Sequence, residues 1–173
     1  GFDSTSGIEL PESKPQISDA DAIRTAIGQG TNNFTATQLA RYVTTLANSG
    51  TCYDLSLVSE IKDINGNVVY KNEHKVHNQL DFPAEQWNVV RQGMRQVVSV
   101  HTSSSALINQ INVAVAGKTG TAQQSDARPN HALFVSFAPY KNPEVTVTSV
   151  IPFGYSSGNA VELTGLVYAY LYD

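Results

Sequence analysis

Cysteine, methionine and tryptophan occur once each in the 173 residues. A single thiol, Cys52, forbids an internal disulfide and any zinc cluster built on thiolates. It leaves the redox compartment open, since secreted proteins need not use disulfides. Charge is also scarce, at 15% of residues against about 25% in an average chain. The 11 Lys and Arg face 15 Asp and Glu, a net charge of −4, with no basic run. Such a chain lacks the footprint that grips phosphates, so nucleic acid is not an expected partner. No apolar stretch approaches the ~20 residues a membrane helix needs. No charged start leads into an apolar core, so no signal peptide is expected. The chain opens at Gly1 rather than Met, as a cut inside a longer gene or an added residue would leave it.

What is present fits about one domain with a real core, at 41% hydrophobic residues. Residues 1–34 are punctuated by Gly7, Pro11, Pro15, Gly28 and Gly30 and read as a long approach loop. Within it, 20–27 could form a short helix after Ser18 as cap. So much irregular chain at the start suggests upstream residues. Thr35 to Gln38 fits a capping box, and Leu39, Tyr42, Val43 and Leu46 recur at helical spacing until Gly50. Residues 55–72 read as a β-hairpin around Asn65-Gly66. Pro83 opens a second helix with Trp87, Val90, Met94 and Val97 on one face. Three strands follow, at 113–121, 132–138 and 144–152. Their short connections favour antiparallel pairing. A last helix is expected over 159–172. Its Tyr168, Tyr170 and Tyr172 cannot all face the core.

The sharpest chemical feature is Lys118-Thr119-Gly120-Thr121 on the first of those strands. Lys118 offers a fixed cation. Thr119 and Thr121, at i+1 and i+3 from it, share a face of the strand. Gly120 allows close approach of a ligand to the backbone. Together the group could bind a carboxylate, and a backbone N–H could stabilise an oxyanion. The bland alternative is a solvated Lys on an edge strand, and three common residues recur by chance.

Context sharpens the reading. Lys-Thr-Gly is one of three signatures of serine β-lactamases and penicillin-binding proteins, with Ser-x-x-Lys and Ser-x-Asn upstream. The longer string from Ala116 to Gln123 resembles the penicillin-binding transpeptidases. Gly7 to Pro11, Ile27 to Gly30, Gln38-Leu39-Ala40, Gly93-Met94, His131 to Phe134 and Ala138-Pro139 resemble further segments of that family in order. The resemblance spans nearly the whole chain and is strongest to the monofunctional, class B type. It implies a mixed α/β (α+β) fold, an antiparallel sheet flanked by helices, in which 1–173 is the C-terminal portion of one transpeptidase domain and 55–72 an accessory hairpin. It implies a serine acyl-enzyme that cross-links peptidoglycan stem peptides and is trapped by β-lactams. Lys118 and Thr121 would be its catalytic residues here: Lys118 for the proton network, the Thr121 N–H as an oxyanion donor. Lys118, Thr119, Gly120 and Thr121 would bind substrate, with Thr119 and Thr121 on its carboxylate. No cofactor or metal is implied. The family location is the outer face of the bacterial membrane, reached through an N-terminal anchor outside this chain.

The other two signatures are out of place. Ser59-Glu60-Ile61-Lys62 matches Ser-x-x-Lys but falls on the expected hairpin, where i and i+3 point to opposite faces. Ser157-Gly158-Asn159 follows Lys118 instead of preceding it and reads as a helix cap. The expectation is therefore a piece without its nucleophile, inactive alone, with a bare sheet edge at 144–152 that favours self-association. A β-lactam sensor or β-lactamase of the same superfamily, or a non-catalytic binding module, are the alternatives. The remaining candidates read blandly. His74 and His77 sit in a polar loop, and His101 is exposed. His131 could line the site or pack at its rim. Cys52 is a small buried hydrophobe. Asp126 and Arg128 form a surface ion pair or a substrate rim, and Asn33-Phe34-Thr35 is a sequon better explained by the Thr35 cap.

Overall fold

The computed structural model describes residues 1–18, 22–100 and 103–173. Its centre is a three-stranded antiparallel sheet, ordered β5 (Ala116–Ala122), β6 (His131–Ala138) and β7 (Val145–Ile151). The expected strands and their pairing are present. The first starts three residues later than the periodicity suggests, because Ala114 and Val115 give their carbonyls to Tyr140 and Arg95. Register runs without a break from Ala116↔Phe137 to Ala122↔His131, and from Ala132↔Ile151 to Ala138↔Val145.

The period of two sends alternate β6 side chains to opposite layers. Phe134 and Ala132 pack with Val161 and Tyr168 of α4 (Ser157–Tyr172) on one face. Phe137 packs with Val43 and Ala47 of α2 (Ala36–Ala47) and with Met94 of α3 (Ala84–Ser99) on the other. Both phenylalanines are fully buried, each contributing about 1.5–3 kcal/mol of transfer free energy. Polar groups inside the α4 layer are paired. Ser136 Oγ lies 3.1 Å from the Tyr168 hydroxyl, and Ser149 Oγ 2.7 Å from Thr164 Oγ1. Burial pushes the Tyr168 hydroxyl well above its usual pKa. Tyr170 is exposed and Tyr172 half-buried, so the three tyrosines part company as helical spacing requires.

Helix α2 begins at the expected capping box. Thr35 Oγ1 accepts from the Gln38 N–H at 3.1 Å, and Gln38 Oε1 from the Thr35 N–H at 3.0 Å. Its burial departs from the apolar stripe. Tyr42 is exposed and Leu39 and Leu46 are half-buried, whereas Gln38 and Arg41 are fully buried. The cause is the N-terminal segment, which covers the polar side of the helix. Gln38 donates to Ser13 O, and Arg41 donates to Gly1 O, Ser4 O and Ser4 Oγ. Glu12 accepts from Thr35, Thr37 and Ser6. In α3 the buried face is Trp87, Met94 and Val98. Val90 is exposed; Arg91 takes the inward position, donating to Tyr140 O at 2.8 Å and lying over the Phe137 ring.

The accessory hairpin is shorter than expected. It is β2 (Glu60–Lys62) with β3 (Val68–Lys71), and Leu55 instead donates to Ser6 O. Asp63 fixes its turn, accepting from the Asn65 and Asn67 N–H groups. A further ladder joins β1 (Thr51–Tyr53) to β4 (Val76–Gln79). His77 therefore stands on a strand, not in a solvated loop. Its Nε2 lies 3.2 Å from Asp3 and its Nδ1 3.2 Å from Asp54. The polar string Val76-His77-Asn78-Gln79 has no apolar alternation, so only the partner strand defines it. A short helix α1 (Ala22–Ala26) falls within the expected one; residues 19–21, and His101, lie outside the described residues. α4 is capped by Ser156, one residue before the expected serine.

Candidate active site

Strand β5 has β6 on one side and, among the described residues, no strand on the other. In an antiparallel ladder the N–H and C=O of one residue point the same way, and those of the next residue the opposite way. Three β5-edge carbonyls accept side-chain donors. Val115 O takes Arg95 Nη1 at 3.1 Å, Thr119 O takes Lys118 Nζ at 2.9 Å, and Thr121 O takes Gln29 Nε2 at 3.3 Å. Odd-numbered residues therefore turn their main chain to the open edge. The Thr121 N–H points outward with its carbonyl, as a donor to an oxyanion must.

Side chains divide across the sheet. Lys118 and Gly120 share parity with Ala116, which packs against α2. Thr119 lies on the other face, where it lines a cavity of 310 Å³ with Val98, Phe134, Ser104 and the start of α4. Thr121 follows Thr119 by the period of two. Lys118 and Thr121 are exposed and Thr119 is half-buried. The steric demand within the chain falls on Gly117, not Gly120. A Cβ at Gly117 would lie 2.7 Å from Phe134 Cε2 and 2.9 Å from Val135 O. One at Gly120 would sit 3.4 Å from Leu133 Cβ, an ordinary contact.

Two larger concavities flank the strand end. A polar one of 710 Å³ lies between residues 24–31 and 123–126, lined by Arg24, Gln29, Gln123 and Asp126 among others. An apolar groove of 690 Å³ on the α2 face is lined by Phe34, Leu39, Tyr42, Leu133 and Val150. His131 reaches this groove and accepts from the Phe153 N–H at 3.1 Å, so it packs at the rim. Asp126 and Arg128 form no ion pair with each other; Asp126 accepts from Gln123, and Arg128 lies over the Phe153 ring. Cys52 is buried, as expected. Ser59 sits at a bend before β2, and Lys62 on β2 pairs with Glu60, so Ser59 and Lys62 do not form the one-turn helical pair a Ser-x-x-Lys nucleophile needs. Among the described residues, no group of three or more His, Cys, Asp or Glu could hold a metal ion. Gln29, whose Nε2 reaches Thr121 O, carries no chemical pattern of its own in the sequence beyond its place in the family-like Ile27-to-Gly30 string.

Comparison with known proteins decides the family. The model for the penicillin binding protein transpeptidase domain matches residues 1–164. The chain belongs to this family. Its transpeptidase relatives include penicillin-binding protein 2B of Streptococcus pneumoniae, 30% identical over 93% of this chain and 26% of that protein. The peptidoglycan D,D-transpeptidase MrdA of Haemophilus influenzae is 29% identical over 98% of this chain and 31% of that protein. Both are class B penicillin-binding proteins. The chain thus spans about a quarter to a third of the length of these relatives. Penicillin-binding protein A of Mycobacterium tuberculosis, solved as an imipenem acyl-enzyme, shares the fold with a TM-score of 0.83 at 23% identity, over 98% of this chain and 40% of that one. The mixed α/β architecture with antiparallel sheets is that of penicillin-binding transpeptidase domains. Among the described residues, no helix of the chain is long and apolar enough to cross a membrane.

Proposed function

We propose that residues 1–173 are the C-terminal portion of a class B transpeptidase domain, and that they supply the Lys-Thr-Gly side of its acyl-transfer site. The observation that carries this is the open β5 edge. Lys118 lies on one face and Thr119 with Thr121 on the other, and the Thr121 N–H points off the sheet. In this reading Lys118 holds charge and protons around the nucleophile. Thr119, Gly120 and Thr121 bind the substrate carboxylate and backbone, and the Thr121 N–H stabilises the oxyanion. The substrate is a D-Ala-terminated peptidoglycan stem peptide, and β-lactams occupy the same place. The attacking serine and its base come from residues outside 1–173, because the one Ser-x-x-Lys of this chain sits at a bend and a strand. An activated nucleophile needs its base within hydrogen-bond reach. The chain alone therefore forms no acyl-enzyme.

The same reading places the protein at the outer face of the bacterial cytoplasmic membrane, where its relatives' cell-wall substrate lies. It also leaves β7 as a pairing edge through which the chain alone self-associates. The deciding experiment is intact-mass measurement after benzylpenicillin treatment. No adduct is expected on residues 1–173, and a stable adduct is expected on the natural polypeptide that carries them. An adduct on the 173-residue chain would overturn the assignment of the nucleophile. Equal labelling of the natural polypeptide and its Lys118→Ala variant would overturn the role of β5.

A further inference from the structure

Residues Ile27-Gly28-Gln29-Gly30 form a turn whose backbone is fixed at several points. Gly28 and Gly30 have φ of 76° and 95°, a region that side chains other than glycine rarely enter. At Gly28 nothing lies within 4 Å of a would-be Cβ, so its glycine answers to conformation and not to crowding. The Gln29 N–H donates to Arg24 O at 2.9 Å, and Asn32 Nδ2 donates to Gln29 O at 3.2 Å. Asn32 Oδ1 in turn accepts from the Ser18 N–H at 2.9 Å, tying the turn to the N-terminal segment. Two left-handed glycines and an asparagine brace thus present one side chain. That side chain crosses to β5, where Gln29 Nε2 donates to Thr121 O.

We infer that Gln29 is a positioning residue for the acyl-transfer site: by holding the Thr121 carbonyl it aims the N–H of the same residue at the reacting oxygen. The inference rests on the reading of β5 given above. Its physical ground is that Thr121 stands near the end of an edge strand, where, among the described residues, no second strand fixes its main chain. β5 ends at Ala122 and the chain then runs through the 123–130 loop. Two further edge carbonyls, Val115 O and Thr119 O, are held by Arg95 and by Lys118. Gln29 does the same at the residue whose N–H matters most. A small misplacement of a reacting group costs as much as ~100-fold in rate, so the clamp acts on the rate of acylation and not on the stability of the fold. Gln29 is exposed and contributes no core packing.

The test measures benzylpenicillin acylation of the natural polypeptide with Gln29, Gln29→Ala and Gln29→Glu, alongside Lys118→Ala. Gln29→Ala is expected to acylate about tenfold more slowly, at an unchanged melting temperature and with the loss in the first-order acylation step. Gln29→Glu replaces a donor with a carboxylate facing a carbonyl, so near neutral pH it should be slower than Gln29→Ala. As pH falls through the ordinary carboxylate range, near ~4.3, its protonated form donates again and its rate should rise relative to Gln29→Ala. Arg24, Asp126 and His131 line this corner, and both variants share them, so the ratio reports the side chain at position 29. Wild-type acylation by Gln29→Ala, or a Glu-to-Ala ratio flat with pH, would overturn the inference. If Lys118→Ala also acylates normally, the reading of β5 fails; if Lys118→Ala is slow and both Gln29 variants are normal, the clamp alone fails.

Discussion

Arg41 and Asp54 meet beneath the N-terminal segment, with Nη1 3.4 Å from Oδ1 and the Arg41 side chain wholly buried. Asp54 has other partners, since Lys75 Nζ lies 3.1 Å and the His77 ring nitrogen 3.2 Å away. Arg41 has no second carboxylate among its described partners; it relies on Gly1 and Ser4 oxygens. Removing the Asp54 charge therefore leaves a buried cation with no carboxylate among its described partners, and breaking a buried pair from one side is costly. Asp54→Asn is expected to destabilise the chain by about 3 kcal/mol, within the range for breaking a buried pair. Urea denaturation checks this, and a loss under about 1 kcal/mol would refute it.

The same segment makes stability depend on acid. Burial would raise the Glu12 carboxyl, but hydrogen bonds from Thr35, Thr37 and Ser6 outweigh it and bring its pKa down from 4.5 to about 2. A carboxylate depressed on folding contributes stability that is fully present above its unfolded pKa. That contribution is lost as pH falls from about 4.5 toward 2. Melting temperature should therefore drop in this window, and the drop should shrink in Glu12→Gln. A Glu12→Gln chain with the same acid profile as the wild type would refute the assignment.

Glycines 117 and 120 should part in their response to a methyl group. Gly117→Ala drives a Cβ into the Phe134 ring and Val135 O, and overpacking of this kind costs about 1–3 kcal/mol. Gly120→Ala meets only Leu133 at ordinary distance and should cost little in stability. In the acylation assay the order should reverse, because the Gly120 methyl would crowd the ligand. Thermal melts of the two variants decide the first half, and acylation rates the second.

Tyr168→Phe offers a clean probe of the α4 layer. The Tyr168 ring stays buried and Ser136 keeps its bond to Val147 O at 3.1 Å. Only the hydroxyl pair is lost, so about 1 kcal/mol of stability should go with it. A neutral substitution in a denaturant titration would show that the hydroxyl contributes nothing.

Self-association through β7 is checked by mass in solution. β7 pairs with β6 and, among the described residues, with no other strand. Val150→Lys places a charge at an exposed position of that strand, which blunts an edge. The unmodified 173-residue chain should run as a dimer or larger, and Val150→Lys closer to a monomer. A monodisperse unmodified monomer would rule the edge contact out.

Much of the molecule was set by local chemistry and could be read from the residue order. The Thr35 box, the Asn65-Gly66 turn and the three C-terminal strands each obey a short-range rule. The Ala116-to-Gln123 string carried the family. The strand parity that separates Lys118 from Thr119 and Thr121 also follows from a period of two. What only the tertiary structure decided depends on segments far apart in the chain. Arg41 and Gln38 look like solvent-facing helix positions until residues 1–13 cover them. Val76 to Gln79 is a polar string until β1 pairs with it. Gly117 is one glycine among several until Phe134 fills the space above it. Gln29 belongs to a loop until folding carries it 92 positions along the chain to Thr121. Periodicity reports which face of an element is apolar. It carries no information on which distant segment will cover the polar face, and here that covering builds the N-terminal clasp and steadies the end of β5.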